Sequence, residues 1–317
     1  MIGTMASAVL SHRLDQVGTA LGLSEGLLGL ITALGADSPE IASALTALVS
    51  GQHDLGKSVI LGSNIFNLAS LLGLSALLAG SVVCGVKTLL LNAGVSLWVT
   101  VVVACQMVLG LPPLWAGLLI AAVMIPYVIV SAMKPAQIGR VAMPGPLRRW
   151  LREAVSDTEV DAGDEQRPHT PSWADKLAIV PLLTVVVLTS IGMVKAASFL
   201  GARWGLSEVV LGALVLATLT GIPNVVAAIR LAVQGRGSAV VSETFNSNSL
   251  NLLAGAYLPT LFLPVGTMSP TARLTLWCLL GTTLIATLLF LRRGRMNRIG
   301  GGVLIAAYAG FVVLLLR

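Results

Sequence analysis

Apolar residues gather along this chain into nine stretches of membrane-spanning length, at 26–50, 57–81, 88–110, 113–133, 177–200, 207–233, 239–264, 273–291 and 299–316. About 20 consecutive apolar residues cross the hydrocarbon core of a bilayer as a helix, so the pattern predicts nine transmembrane helices. The longest polar interval, 134–175, separates the fourth stretch from the fifth. It holds seven acidic residues, six basic residues and five prolines. Such a segment buries too little apolar surface to fold as a domain and reads as a flexible linker. Within it, Leu147 to Val155 with Arg148, Arg149 and Arg152 is a short amphipathic piece, suited either to the membrane surface or to solvent as a basic patch. The expected organisation is a first repeat over 1–133, a linker over 134–175 and a second repeat over 176–317.

Inside the apolar stretches the polar residues fall into two matching cassettes. Both open with Gly-Leu-Ser-Glu, at Gly22 to Glu25 and at Gly205 to Glu208. One continues through Pro39-Glu40 to Gly62-Ser63-Asn64-Ile65-Phe66-Asn67, the other through Pro223-Asn224 to Asn246-Ser247-Asn248-Ser249-Leu250-Asn251. Glu40 to Asn67 is 27 residues, and so is Asn224 to Asn251. Duplicated apolar halves with Pro- and Gly-interrupted helices in matching places point to a transporter whose site lies between the repeats. The second half carries five spans and the first only four. Before Gly22 stand 21 residues that include His12, Arg13 and Asp15, so the first helix is expected as a stub, or the true start lies upstream. An odd number of spans per half sets the repeats in opposite orientations, an inverted repeat.

Composition narrows the class. Hydrophobic residues are 56% and charged residues 11% of 317, with a mean hydropathy of +0.89. A soluble domain is roughly a quarter charged, so a polytopic membrane protein is expected, with the lipid bilayer as its surroundings. The net charge of +6 then reads as loop asymmetry rather than nucleic-acid binding. The clusters Arg148/Arg149/Arg152, Arg230/Arg236 and Arg292/Arg293/Arg295/Arg298 all fall on one face, which the positive-inside rule makes cytoplasmic at a cell membrane. Cys84, Cys105 and Cys278 are scattered and read as packing residues. No compact apolar signal region opens the chain.

The two cassettes resemble the cation/calcium exchanger superfamily, which includes sodium/calcium and calcium/proton antiporters. Its paired α-repeats carry Gly-Thr-Ser-x-Pro-Glu on one helix and Gly-Ser-Asn-x-x-Asn/Asp on the next. Here the first repeat reads Gly35-Ala36-Asp37-Ser38-Pro39-Glu40, then Gly62 to Asn67; the second reads Thr220-Gly221-Ile222-Pro223-Asn224, then Asn246 to Asn251. The resemblance implies an all-α polytopic fold of two inverted repeats of about five transmembrane helices, the first helix truncated. It also implies a secondary active cation antiporter of the sodium/calcium exchanger type, working by alternating access, with no cofactor beyond the transported cation: calcium, sodium or a proton. Calcium-transporting relatives place an acid after the proline in both repeats. This chain keeps Glu40 but has Asn224 opposite, has Asn251 where Asp is frequent, and has Asp37 where serine is usual.

The candidate cation site is therefore Glu40, Asp37, Asn67, Asn224, Asn251, Thr220, Ser63 and Ser247. A hard cation needs several oxygen ligands, and a carboxylate adds countercharge. Acids at membrane depth are costly and are functional candidates by default. Pro39 removes a helical hydrogen bond and frees a carbonyl one turn back, placed at residue 36, as a further ligand; the plainer reading is a kink whose Glu caps a loop. Asp37 and Glu40 share a helix face at i,i+3 and either chelate one cation or share a proton; alternatively Asp37 closes an Asx-turn. Ser63/Asn67 and Ser247/Asn251 stack at i,i+4, fit either for the site or for close helix packing. Thr220 holds a position where the family uses a backbone and hydroxyl donor. Asn64 and Asn248 fit packing equally well. Glu243, about two turns before Asn251, suits a proton relay or a first-turn acid favoured by the helix dipole. Ser24 and Ser207 are expected as helix caps before Glu25 and Glu208. Competing functions are a monovalent-cation/proton or calcium/proton antiporter, and a non-transporting scaffold with a degenerate second half-site. Enzyme signatures such as HExxH, Gly-x-Ser-x-Gly or a Walker loop are missing. Oligomeric state is left open.

Overall fold

The structure, a computed structural model, describes residues 2–162, 177–263, 266–291 and 294–317, the side chains of 157–162 excepted. Residues 163–176 of the expected linker, Pro264, Val265, Arg292 and Arg293 lie outside the described residues, as does Met1. Before the linker, α1 (Ile2–Ala20) is followed by α2 (Glu25–Ala36) and α3 (Ser38–Val49), then α4 (His53–Ala79), α5 (Val86–Leu109) and α6 (Pro113–Ala132). The linker carries α7 (Gly145–Ala162). The second half comprises α8 (Ile179–Trp204), α9 (Glu208–Val233), α10 (Gly237–Asn251), α11 (Pro270–Leu291) and α12 (Arg298–Leu315). With α2 and α3 taken as one broken crossing, each half is a five-helix unit. α1 runs toward the linker face and α8 away from it, so the halves are inverted.

Every expected span carries a helix. Among the described residues, seven helices are long and apolar enough to cross a membrane, including α4, α5, α6, α8 and α9. The stretch 26–50 splits at Asp37, and the stretch 239–264 is polar through most of α10 before it tightens at Leu258–Leu261.

Two expectations are corrected. The supposed stub is α1, a helix of 19 residues, roughly 28 Å long at 1.5 Å per residue. Its buried positions are mostly small (Gly3, Ala6, Ser7) and it carries His12, Arg13 and Asp15, so hydropathy hid it. It packs on α8 and α2, and Ser11 Oγ donates to the Thr32 carbonyl at 3.0 Å. The linker, in turn, is ordered over α7, whose Ala154 and Val155 are buried against the bundle. Thr88 Oγ1 donates to the Ala154 carbonyl at 2.7 Å, and Lys87 pairs with Glu153. That pair, beside Arg149 and Arg152, holds the Glu153 carboxyl below its ordinary value. The amphipathic piece therefore rests its apolar side on the protein and turns Arg149 and Arg152 outward.

Both caps fall as expected: Ser24 Oγ accepts from Leu27 N and Ser207 Oγ from Val210 N. Where α4 and α9 cross, a Cβ on Gly62 would collide with the Ala213 backbone, so glycine sets the closeness of the halves. On the linker face a two-stranded patch, β1 (Ser81–Val83) with β2 (Arg295–Asn297), pairs antiparallel with Val82 opposite Met296.

Candidate functional site

The polar residues of both cassettes converge where α2/α3, α4, α9 and α10 meet. Glu40 and Asp37 are buried, at 0% and 1% exposure. Asp37 is the residue at which the helix breaks: its φ and ψ of −83° and 0° end α2 and start α3, with Pro39 in the first turn. A proline has no N–H to give, and a first helical turn needs none. The carbonyl four residues before Pro39 is that of Gly35, not residue 36. It accepts Ser38 Oγ at 2.7 Å, so one of its lone pairs is occupied and the expected free carbonyl is not found there. The break contributes something else. Asp37 and Glu40 sit at the N-terminal end of α3, where the helix dipole favours negative charge.

Asn224 faces Asp37 across the repeat interface, its Nδ2 donating to Oδ1 at 2.9 Å. Beside a carboxylate the amide presents its N–H side. Asn224 thus holds Asp37 rather than offering oxygen, and acts as a positioning residue in this state. Ser247 also lies against Asp37, and Thr220 against Glu40. The Thr220 hydroxyl donates to the Leu216 carbonyl at 2.9 Å and that of Ser63 to Ile60 at 3.1 Å, leaving their oxygens as acceptors. Ser63 hydrogen-bonds to neither acid.

The amides at the α4–α10 crossing follow one rule: their nitrogens are tied to protein. Asn67 Nδ2 donates to Ser247 Oγ at 3.2 Å, and Asn251 Nδ2 to Asn64 Oδ1 at 3.0 Å. Asn64 Nδ2 donates to the Asn248 carbonyl at 3.3 Å, while Asn248 Nδ2 reaches Ser96 Oγ at 2.5 Å. With donors occupied, Asn67 Oδ1 and Asn251 Oδ1 remain as buried oxygens without a protein partner, alongside Asp37 Oδ2 and both carboxylate oxygens of Glu40. Buried acceptors of this number are costly unless something positive meets them. Carboxylate and amide oxygens are the donor set of a hard cation. Gly221 belongs to this geometry: a Cβ there would lie 3.1 Å from Asn67 Oδ1 and 2.7 Å from the Phe66 ring.

Sequence reasoning missed several neighbours. Ser190 Oγ on α8 donates to the Pro39 carbonyl at 3.3 Å, bracing the break. Asn92 and Tyr127 are hydrogen-bonded at 2.6 Å, and Tyr127 also binds Asn246. Lone polar residues in apolar spans are the signal that could have found them.

A cavity of about 590 Å³ enters from the linker face between both halves, lined by Asp15, Glu25, Tyr127, Arg230, Glu243 and Asn246 among others. The opposite face is laced by polar contacts between halves: Lys57 Nζ donates to the Gly266 carbonyl at 3.1 Å, and Leu55 N to Glu208 Oε2 at 3.2 Å.

Inverted five-helix halves around a buried oxygen-rich centre, with a cavity entering between them from one face, define a multi-pass secondary transporter. The family model described as sodium/calcium exchanger protein matches residues 1–133 and 177–317, and the chain belongs to that family of cation/calcium antiporters. The putative antiporter CaxA of Alkalimonas amylolytica is 26% identical over 305 residues, covering 93% of this chain and 89% of that protein. The inner membrane protein YrbG of Escherichia coli is 26% identical over 300 residues, covering 93% and 86%. In fold, the chain matches the H+/Ca2+ exchanger CAX with a TM-score of 0.69 at 14% identity, over 99% of this chain and 84% of that one. It matches the sodium-calcium exchanger NCX_Mj with a TM-score of 0.63 at 17% identity, over 98% and 94%.

Proposed function

We propose that the protein is a secondary cation antiporter in which one centre, built on Asp37 and Glu40, alternately takes up a cation and protons. The observation that supports this most is the placement of both acids, three of their oxygens unpartnered, on a single helix break in one repeat. Two carboxylates so close in low dielectric resist double ionisation without a cation, and bind protons in its place. Asn67 and Asn251 supply neutral oxygens, Thr220 and Ser63 secondary ones, and Asn224 and Ser247 orient the ligands. The printed names of relatives support both sodium/calcium and proton/calcium exchange; the acid pair favours the proton-coupled form. The halves 1–133 and 176–317 are the moving repeats, joined by 134–175. The linker face is assigned to the cytoplasm because Arg148, Arg149, Arg152, Arg230, Arg236, Arg295 and Arg298 lie on it.

Proteoliposomes loaded in turn with calcium, sodium, potassium and proton gradients test this reading. Cation uptake that drives opposite proton movement, and slows as the medium is acidified, is the expected result. Uptake that ignores the proton gradient and follows sodium alone overturns proton coupling. The absence of any gradient-driven flux overturns transport itself. Cysteine labelling of residues on α7 from either side of the membrane checks the orientation.

A further inference from the structure

Helix α5 touches none of the acids, yet it carries a buried polar stripe. Asn92, Ser96 and Thr100 follow one another at i,i+4 spacing and are all buried, so they share one face. That face is bonded to α10. Asn92 Oδ1 accepts from the Tyr127 hydroxyl, which also binds Asn246. Ser96 Oγ and Thr100 Oγ1 both accept from Asn248 Nδ2, at 2.5 and 3.2 Å. The direction of this contact is set by the hydroxyl. Thr100 gives its one proton to the Ser96 carbonyl at 2.7 Å, so its oxygen has only lone pairs to offer. Asn248 meets it with the amide nitrogen, and Asn248 Oδ1 is turned away from α5.

The residue beside Asn248 is Ser247, and Asn251 follows within a turn. Successive helix residues are about 100° apart, so tying Asn248 to α5 fixes the rotation at which α10 presents Ser247 and Asn251 to α4. There Ser247 Oγ accepts from Asn67 Nδ2 at 3.2 Å and Asn251 Nδ2 donates to Asn64 Oδ1 at 3.0 Å. Asn64 Nδ2 closes the set on the Asn248 carbonyl at 3.3 Å.

The mirrored helix lacks the device. Counting from the closing asparagines, Leu280 and Leu284 stand on α11 where Ser96 and Thr100 stand on α5. The hydroxyls that α11 does carry, at Thr275, Thr283 and Thr287, bond back to its own carbonyls. Leucines serve the packing of α11, so the α5 hydroxyls answer a need other than close packing.

We propose that Ser96 and Thr100 are positioning residues for the cation centre, acting through Asn248 to hold Ser247 and Asn251 in place. This rests on the centre proposed above.

Full-length Thr100→Val, Thr100→Ser and Ser96→Ala test the assignment, with calcium and sodium each as probe. Equilibrium binding and the concentration dependence of uptake into proteoliposomes are the readouts. Thr100→Val should weaken calcium binding and raise the half-saturating concentration about tenfold, the scale of losing a partner that orients a ligand. Its maximal rate should fall less than its affinity. Ser96→Ala should weaken binding in the same direction, and Thr100→Ser, which keeps the hydroxyl, should bind as the wild type does. A Thr100→Val protein with a lower unfolding midpoint but unchanged binding shows a packing role alone and overturns the assignment. So does a Thr100→Ser protein as impaired as Thr100→Val. Should Thr100→Val fail to stay monodisperse, Ser96→Ala decides: weaker binding supports the role, and unchanged binding overturns it. Glu40→Gln, which should lose binding and flux together, tells the two failures apart. Binding lost in Glu40→Gln but intact in Thr100→Val overturns this inference alone. A wild-type protein that binds neither cation overturns the centre and this inference with it.

Discussion

The helix that carries Asp37 and Glu40 stops and restarts at residue 37, whereas its counterpart α9 runs without interruption through Pro223. Aligned on the prolines, Asp37 stands opposite Gly221 and Glu40 opposite Asn224. The first repeat thus has two acids and a free helix N-terminus to stabilise them. The second has neither, and takes up its irregularity elsewhere, in a π-helical stretch at Leu211–Leu216. In the second pair of helices the symmetry returns: Asn67 and Asn251 each lead directly into a π-helical stretch, Leu68–Leu74 and Leu252–Tyr257. The acids of these paired helices stand in one half, while the other half offers amides and close approach. A duplicated site need not divide its labour equally.

The comparison breaks most visibly if its charged side is removed. Glu40→Gln should reduce flux in proteoliposomes to the leak of empty vesicles, with the protein still inserted and monodisperse; normal flux would show that the first repeat does not carry the centre. Next in size, Asn224→Glu gives the second repeat the acid it lacks. It should tighten calcium binding roughly tenfold or more, the order of one added charge interaction in a partly buried site, read by equilibrium binding titration. No change would mean that position 224 does not face the ion. Gly221→Ala tests close approach. With the Phe66 ring 2.7 Å from the added Cβ, overpacking of about 1–3 kcal/mol should appear as a lower unfolding midpoint together with weaker cation binding. The smallest effect lies far from the centre. Because Glu153 is held below its ordinary value of 4.5 by Lys87, whatever stability the pair contributes is present above that value. It is lost as pH falls through the lowered one. Glu153→Gln should shift thermal unfolding slightly at neutral pH and not at all in strong acid.

Much of this was legible in the chain. The spans, the two cassettes and the caps at Ser24 and Ser207 follow from apolar run length and from residues whose physics is local. What escaped was of two kinds. Helix α1 buries mostly small residues against its protein neighbours and carries polar ones besides, so its hydropathy stays low even though Ile2, Met5 and Val9 are exposed. The direction of each amide was hidden as well. Asn224 has the composition of a ligand, yet the carboxylate opposite turns its nitrogen inward. Asn64, which fits packing equally well by sequence, accepts from Asn251 of the opposite repeat, whereas Asn248 packs by donating to Ser96 and Thr100 on α5. The site's residues were found by type and spacing, while their individual roles depended on partners some 180 positions away, as for Asn67 and Ser247.

The short β1–β2 patch has a practical consequence. It splices the end of α4 to the start of α12, so the halves are hydrogen-bonded to each other independently of the chain that connects them. Covalent continuity through 163–176 is then dispensable in principle. Two polypeptides, 1–162 and 177–317, produced together should find each other and assemble, giving a split protein in which either half can be labelled, titrated or exchanged on its own.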